Sequence, residues 1–531
     1  MEGFLNERPS QTAAVGAAVK AATSESDLRI LWLTRTAAEV SHVARELSGV
    51  GARPFYGRRV LCVLDPVSRV DEKRFPVTCR AVRVAGKCPY WPGRPQRRSS
   101  NPVTVAEFKE TGKMALTCPY ELQLKSIPSA SFLVATHRQL QAVGWLLGRW
   151  GTKREEVLLV LDEAQNLLLG ALEMVRDEIS LTTILRASKE AEKYGFPELS
   201  RQLREVAKKY KEVADTAKSE EVEADNLLPD WEELRMAGEE VQERKLRAGF
   251  VPASWILRVA DFVASLARER PLLVREGKKI TLLALQDPVE ALKRALEGWS
   301  KIVLMSATID AEMLESLSGE EIVLLRAGWP ADDEWEGPEM TFYIMSGFTT
   351  RFEARDEVMI ERVQRLLAEV AEKARSHGWG VLVYFPSYEL LEWTKETMTA
   401  DTVDDPVLWE VKGASQEEVD SLIREFTSRQ GGRVLCAVAG GRLSEGVDLP
   451  ADLVIVLGVP FSPPTPRQER LIKRLSEVVG NREKAWRYAM ALPAVWKTIQ
   501  ATGRAVRKPD DSAVVLLVDD RYQHLHPLFP R

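Results

Sequence analysis

Five apolar residues, Val157-Leu158-Leu159-Val160-Leu161, run straight into two carboxylates, Asp162 and Glu163. An unalternating apolar run of that length is a strand covered on both faces, and such strands belong to parallel sheets flanked by helices. The chain is thereby held to an α/β class. Ligands of open parallel sheets sit beyond the carboxyl ends of the strands, where Asp162 and Glu163 emerge. One carboxylate there can hold Mg²⁺ while its neighbour orients an attacking water in phosphoryl transfer, the Walker B arrangement. A buried strand ending in a polar turn would use the same residues, so the rest of the chain has to decide.

Similar runs recur. Residues 29–36 read as a buried strand ending in hydroxyls and one Arg, with a helical pattern from Ala37 to Leu47. Phe132 to His137 reads as another strand, with His137 in a structural place at its end, and Lys301 to Thr308 as a third that ends in hydroxyls. A second set follows near residue 340, with strands at 381–385, 434–438, 453–457 and 513–518. Cys436 falls inside one of these as a small core residue. The expected fold is α/β with two doubly wound parallel sheets, the first interrupted twice. A length of 531 residues calls for three or four domains.

The first interruption is basic. Residues 53–98 hold twelve Lys and Arg against three acids, although the whole chain carries a formal charge of −5. Phe55, Tyr56, Phe75, Tyr90 and Trp91 are interleaved with them. Charge that tracks phosphates, beside rings on which bases stack, is the composition of a single-strand binding surface; a solvated basic loop is the plainer alternative. Cys62, Cys79, Cys88 and Cys118 punctuate the segment, and two of them open the tripeptide Cys-Pro-Tyr. Close Cys pairs of the structural-zinc kind are missing. Four widely spaced thiols, with Pro after Cys, suit a 4Fe-4S cluster better than zinc. The second interruption, residues 171 to about 275, reads as long helices, with nine acids against one base between Glu220 and Glu240 as a solvated face. No apolar run approaches the roughly 18 residues that span a bilayer, so the expectation is a cytoplasmic protein with no membrane association.

Four short stretches then acquire meaning from their order: Asp162-Glu163-Ala164-Gln165, Met305-Ser306-Ala307-Thr308, Gly440 to Asp448, and Gln500 to Arg507. Together with cysteines placed between Thr34-Arg35-Thr36 and the Asp-Glu strand, the chain resembles the XPD branch of the XPD/DinG superfamily two helicases over nearly its whole length. The resemblance implies two RecA-like motor domains, the first in parts at 1–54, 126–170 and 279–325 and the second at 326–531. It also implies an iron-sulfur domain at 55–125 and a helical Arch domain at 171–278. Carried over by residue, Cys62, Cys79, Cys88 and Cys118 become ligands of the 4Fe-4S cluster. Asp162 and Glu163 become the carboxylates for Mg²⁺ and water. Gln500, Arg504 and Arg507 face the ATP triphosphate, and an Arg so placed neutralises transition-state charge. Gly446 and Asp448 join the nucleotide site; Arg442 and Glu445 lie in the loop that couples it to DNA. Thr34, Arg35 and Thr36 hold the DNA backbone, with Arg58 and Arg59 on the basic finger. Gln165 replaces the more usual His. The implied protein is a monomer that moves 5′ to 3′ on single-stranded or forked DNA in nucleotide excision repair, with a repair-protein partner on the Arch.

One departure stands out. At the family's usual distance before Thr36, Ser10-Gln11-Thr12 stands where a Gly-rich Walker A loop would end in Gly-Lys-Thr. A neutral Gln cannot supply the charge that Lys sets against the phosphates. An ATPase-impaired paralogue that only binds single-stranded DNA, and a redox-responsive DNA sensor, therefore stand as alternatives to a running motor.

Overall fold

The computed structural model describes residues 28–91, 102–216, 221–223, 228–266, 270–306, 308–321, 339–398, 407–414, 416–428, 432–444, 449–506 and 512–529. The chain forms two compact units, one through Glu320 together with Thr465–Arg467, the other Glu321–Pro464 with Gln468–Arg531.

In the first unit, β1 (Arg29–Thr34), β2 (Ala52–Phe55), β3 (Phe132–Thr136) and β4 (Val157–Leu161) run parallel. All five residues of β4 are buried, as an unalternating apolar run requires. β1 lies between β3 and β4, with Leu33 level with both Ala135 and Leu161. The crossover from β2 to β3 contains the cysteine segment. Beyond β4 the chain makes its second excursion, with β5 (Val175–Ser180), β6 (Glu221–Glu223), β7 (Leu272–Glu276) and β8 (Lys279–Leu285). β9 (Lys301–Leu304) then returns beside β4 and completes the order β2-β3-β1-β4-β9.

The second excursion is not purely helical. Helices Leu181–Lys193, Pro197–Thr216, Trp231–Arg247 and Trp255–Ser265 are joined by a four-stranded sheet, β5-β8-β7-β6, whose paired strands are antiparallel. Its hairpin turns at Gly277, which adopts φ +58° between the paired Glu276 and Lys279; a glycine there carries no steric cost. The acids Glu232, Glu233, Glu239 and Glu240 on helix Trp231–Arg247 are exposed, as a solvated face should be.

Leu246, Val251 and Ala253 from this excursion pack on Val67, Val70, Phe75 and Val82 of the cysteine segment, beside Cys62, Cys79 and Cys88. Lys73 pairs with Asp177 at 2.6 Å, and the Arg74 guanidinium lies 3.4 Å from the centre of the Trp255 ring. The two excursions therefore share one small core.

The second unit holds β10 (Glu339–Met345), β11 (Gly380–Phe385), β12 (Val407–Trp409), β13 (Arg433–Val438), β14 (Leu453–Leu457) and β15 (Ser512–Val518), all parallel, in the order β10-β15-β14-β11-β13-β12. Leu382 and Tyr384 face one apolar layer, and Val381, Val383 and Phe385 the other. That is the two-residue period of a strand buried on both sides. Cys436 is fully buried in the second layer.

Candidate nucleotide and nucleic-acid site

The carboxyl edge of the five-stranded sheet gathers residues from four strands. The Leu33 carbonyl accepts from Asp162 N at 2.9 Å, Leu161 O from Met305 N at 2.8 Å, and Met305 O from Ala164 N at 2.9 Å. Glu163 sits at φ +50°, a left-handed conformation that costs a non-glycine residue energy and marks a fixed turn. Its N–H donates to Asp162 Oδ1 at 3.0 Å. Burial, and then the neighbouring Glu163 charge, push the Asp162 carboxyl up to about 6. Gln165, itself buried, donates from Nε2 to Glu163 Oε2 at 2.6 Å and accepts from the Ser306 hydroxyl, which in turn accepts from Thr308 N at 3.0 Å. His137 Nε2 lies 3.2 Å from Leu33 O. Burial holds its pKa below the usual value, and the contact is a hydrogen bond to the Leu33 carbonyl in the tautomer that carries its proton on Nε2. A pair of adjacent carboxylates, one reluctant to ionise without a cation, is suited to a divalent metal and an ordered water.

Thr34 is fully buried, with Oγ1 donating to Thr36 O at 3.3 Å. Thr36 caps helix Ala37–Glu46: its Oγ1 accepts from Glu39 N, and Glu39 Oε2 accepts from the N–H groups of Arg35 and Thr36. This capping box fixes the turn and leaves Arg35 exposed.

Cys62, Cys79, Cys88 and Cys118 line one cavity with Arg58, Arg83, Val67, Val82, Tyr90 and Trp91. Burial, reinforced by the other thiols, pushes Cys62 up to about 11 and raises Cys79, with Arg58 and Arg83 opposing the rise at Cys79. Burial raises Cys118 as well. The Arg83 side chain stacks on Trp91 at 3.8 Å, and its buried Nε meets no hydrogen-bond partner. Among the described residues, no three His, Cys, Asp or Glu side chains stand close enough together to hold a single metal ion.

Arg58 is engaged locally: its Nη1 is 2.9 Å from Glu121 Oε1 and its guanidinium 4.0 Å from the centre of the Tyr120 ring. Arg59 is exposed and donates from Nε to Val70 O at 3.0 Å. The expectation of a stacking surface needs correcting for three of its five rings. Phe55, Tyr56 and Phe75 are core residues, at 2% exposure or less, because β2 and the first turn of helix Phe75–Val84 carry them inward.

In the second unit the loop after β13 turns at Gly440, with φ +83°. Ser444 Oγ accepts from Gly440 N at 2.9 Å and donates to Gly441 O at 2.8 Å. Arg504 Nε donates to Ser444 O at 3.1 Å and to Gln500 O at 3.2 Å, so Gln500 and Arg504, at the end of helix Leu492–Thr502, are brought to this loop. Arg442 is exposed at its tip. Ser10, Gln11, Thr12, Glu445, Gly446, Asp448 and Arg507 lie outside the described residues.

The DEAD_2 family model matches residues 32–184, and the helicase C-terminal domain model residues 370–528. The ATP-dependent DNA helicase XPD of Sulfolobus acidocaldarius is 26% identical over 444 residues, 80% of this chain and 75% of that protein. A solved XPD helicase superposes with a TM-score of 0.76 at 20% identity, covering 98% of this chain and 93% of the other. The chain belongs to the XPD/DinG family of superfamily two DNA helicases. It is an enzyme of the ATP-dependent helicase class. The ATP-dependent DNA helicase CHL1 of Eremothecium gossypii is 23% identical, over 50% of this chain but 36% of its own length. An apo XPD structure superposes with a TM-score of 0.61 at 19% identity, over 97% of each chain.

Motif order and a strand end rich in hydroxyls single out Ser306 and Thr308 in this helicase, but only the hydrogen-bond path through Gln165 ties them to Glu163. Glu410, a buried carboxylate bonded to the Gly440 loop, has no sequence signal, since the strand before it is three residues long.

Proposed function

We propose that this chain is an XPD-type helicase that draws single-stranded DNA 5′ to 3′ at the cost of ATP, in repair of damaged DNA. The reading rests on the Asp162-Glu163 pair at the sheet's carboxyl edge, where burial and then the adjacent Glu163 charge push the Asp162 carboxyl up to about 6. Asp162 would hold Mg²⁺ and Glu163 would orient the attacking water, kept in place by Gln165. Gln500 and Arg504, with Arg507, are the second unit's contribution to the triphosphate; Gly446 and Asp448 join them. Thr36, Arg35, Arg442 and Arg59 are the candidate DNA contacts. Thr34 and Arg58 would act from beneath the surface, Thr34 by shaping its loop and Arg58 from its seat against Glu121 and Tyr120.

Cys62, Cys79, Cys88 and Cys118 would hold a 4Fe-4S cluster. A zinc ion draws four thiolates to about 2.3 Å from one centre, whereas each thiolate of a four-iron cluster binds its own corner. The four thiols line a common cavity, and their wide spacing, with Pro after two of them, suits the second arrangement. Arg83, whose Nε has no hydrogen-bond partner, lines the same cavity and could donate to a cluster sulfide. When bound, the cluster ties together four separate stretches of a segment with little core of its own. We assign it one chain per active molecule, with the excursion after β4 as the surface for a repair partner. No helix among the described residues is long and apolar enough to cross a membrane.

Fork substrates carrying a 5′ or a 3′ tail, incubated with ATP and Mg²⁺, test the motor: unwinding confined to the 5′-tailed fork supports the reading, and preference for the 3′ tail defeats it. A brown protein with broad visible absorbance and about four irons per chain supports the cluster; a colourless zinc protein removes it. Ser10-Gln11-Thr12 favours a second reading, a single-strand binder with an impaired motor. Hydrolysis on the order of one ATP per second or faster, with DNA present, would rule that reading out.

A further inference from the structure

Glu410 lies inside the second unit with 3% of its surface exposed. A carboxylate at that depth is costly unless several donors meet it. Three do: Val438 N at 2.8 Å from Oε2, Arg442 N at 3.0 Å from Oε1, and the Tyr388 hydroxyl at 2.9 Å from Oε1. Val438 is the last residue of β13 and Arg442 stands beyond the turn, so one side chain clamps both ends of Ala439-Gly440-Gly441. The turn is shaped to admit it, since a Cβ on Gly441 would lie 2.9 and 3.0 Å from the two carboxylate oxygens. Burial and the adjacent carboxylate raise the Tyr388 pKa, which keeps the phenol a donor. The Arg442 guanidinium also donates to the Ala414 carbonyl, on the stretch leaving Glu410. Residues 410–414 thus hold Arg442 at its backbone and at its side chain.

We propose that Glu410 is the positioning residue of the Arg442 loop, setting the contact between Arg442 and a phosphate of single-stranded DNA. The inference rests on the reading of Arg442 as a DNA contact. A carboxylate offers acceptors to both N–H groups, whereas an amide offers one acceptor and turns a donor toward the other N–H. Glu410→Gln therefore forces the turn open while changing no atom that meets DNA.

The test is the affinity of the full chain for a fluorescent oligothymidylate, measured by anisotropy across a salt series without nucleotide. Arg442→Ala and Glu410→Gln are each expected to weaken binding about tenfold and to lower the salt slope by about one. The double variant is expected to bind no worse than Arg442→Ala, because the two act on one contact. Tyr388→Phe, which spares both N–H clamps, should lose less than about threefold. Should Glu410→Gln fail to fold, Glu410→Asp keeps the charge, reaches only one end of the turn, and must show the same loss. Unchanged binding in Arg442→Ala would overturn the DNA reading of that residue and this proposal with it. A weakened Arg442→Ala beside an unaffected Glu410 variant, or a double variant with additive losses, would overturn the proposal alone.

Discussion

Replacing Asp162 by Asn should make the metal-free protein more stable, and the gain should depend on pH. In the folded chain the Asp162 carboxyl is pushed from 3.8 to about 6, first by burial and second by Glu163. Two units of pKa correspond to roughly 3 kcal/mol between the charged and neutral forms. Below pH 3.8 both folded and unfolded chains hold the proton and no penalty exists. Between about 4 and 6 the folded chain keeps a proton that the unfolded chain has lost, so stability falls as pH rises. Above about 6 both are ionised and the full penalty remains. Asn pays none of it, and its Oδ1 can still accept from Glu163 N, the bond that Asp162 makes at 3.0 Å. Urea unfolding of wild type and Asp162→Asn in EDTA, followed by a probe confined to the first unit, should therefore give matching stabilities near pH 4. Near pH 7.5 Asn should be ahead by about 2 to 3 kcal/mol. A gap that is absent at pH 7.5, or the same at pH 5 and pH 7.5, would refute the argument.

Three other outcomes follow from local geometry. Gly432→Ala should cost the second unit at least about 2 kcal/mol, read by chemical denaturation, since the residue adopts φ +76° and a Cβ would meet Ala374 O at 2.0 Å. Glu190→Ala should destabilise by roughly 3 to 5 kcal/mol and speed amide exchange at the start of helix Trp255–Ser265, because this buried carboxylate receives Trp255 N at 2.7 Å, Ile256 N at 3.0 Å, the Ser254 hydroxyl at 2.8 Å and Lys245 Nζ. Cys79→Ser should purify with little or no iron by colorimetric assay, while a full complement of four would remove Cys79 from the ligand set.

Much of the fold was legible because the central strands are buried on both faces. β4 and β11 can be read without a partner, since an apolar run ending in Asp-Glu or in Pro-Ser is nearly unambiguous. What stayed hidden was short or borrowed its stability. β2, β6 and β12 have four residues or fewer, and β7 and β8 lay in a stretch dominated by helical spacing. The basic finger was legible as charge but not as geometry. Counting cations cannot tell Arg59, on the surface, from Arg58, which the fold commits to Glu121 and Tyr120. Ring content misled for a similar reason, as Phe55, Tyr56 and Phe75 were needed inside. At the site, Asp162 and Glu163 announce themselves by contrast with the strand before them, whereas Glu410 matters through donors 28 and 32 positions away.

The small core shared by Val67, Val70, Phe75, Val82, Leu246, Val251 and Ala253 bears on how the molecule is taken apart. Expressed alone, the cysteine finger would expose one side of that core to water, and so would the helical excursion. A soluble excised piece of either would be a remodelled object, and metal uptake measured on it would describe the remodelling. Dissection therefore has to keep both excursions on the same polypeptide, with cuts made elsewhere.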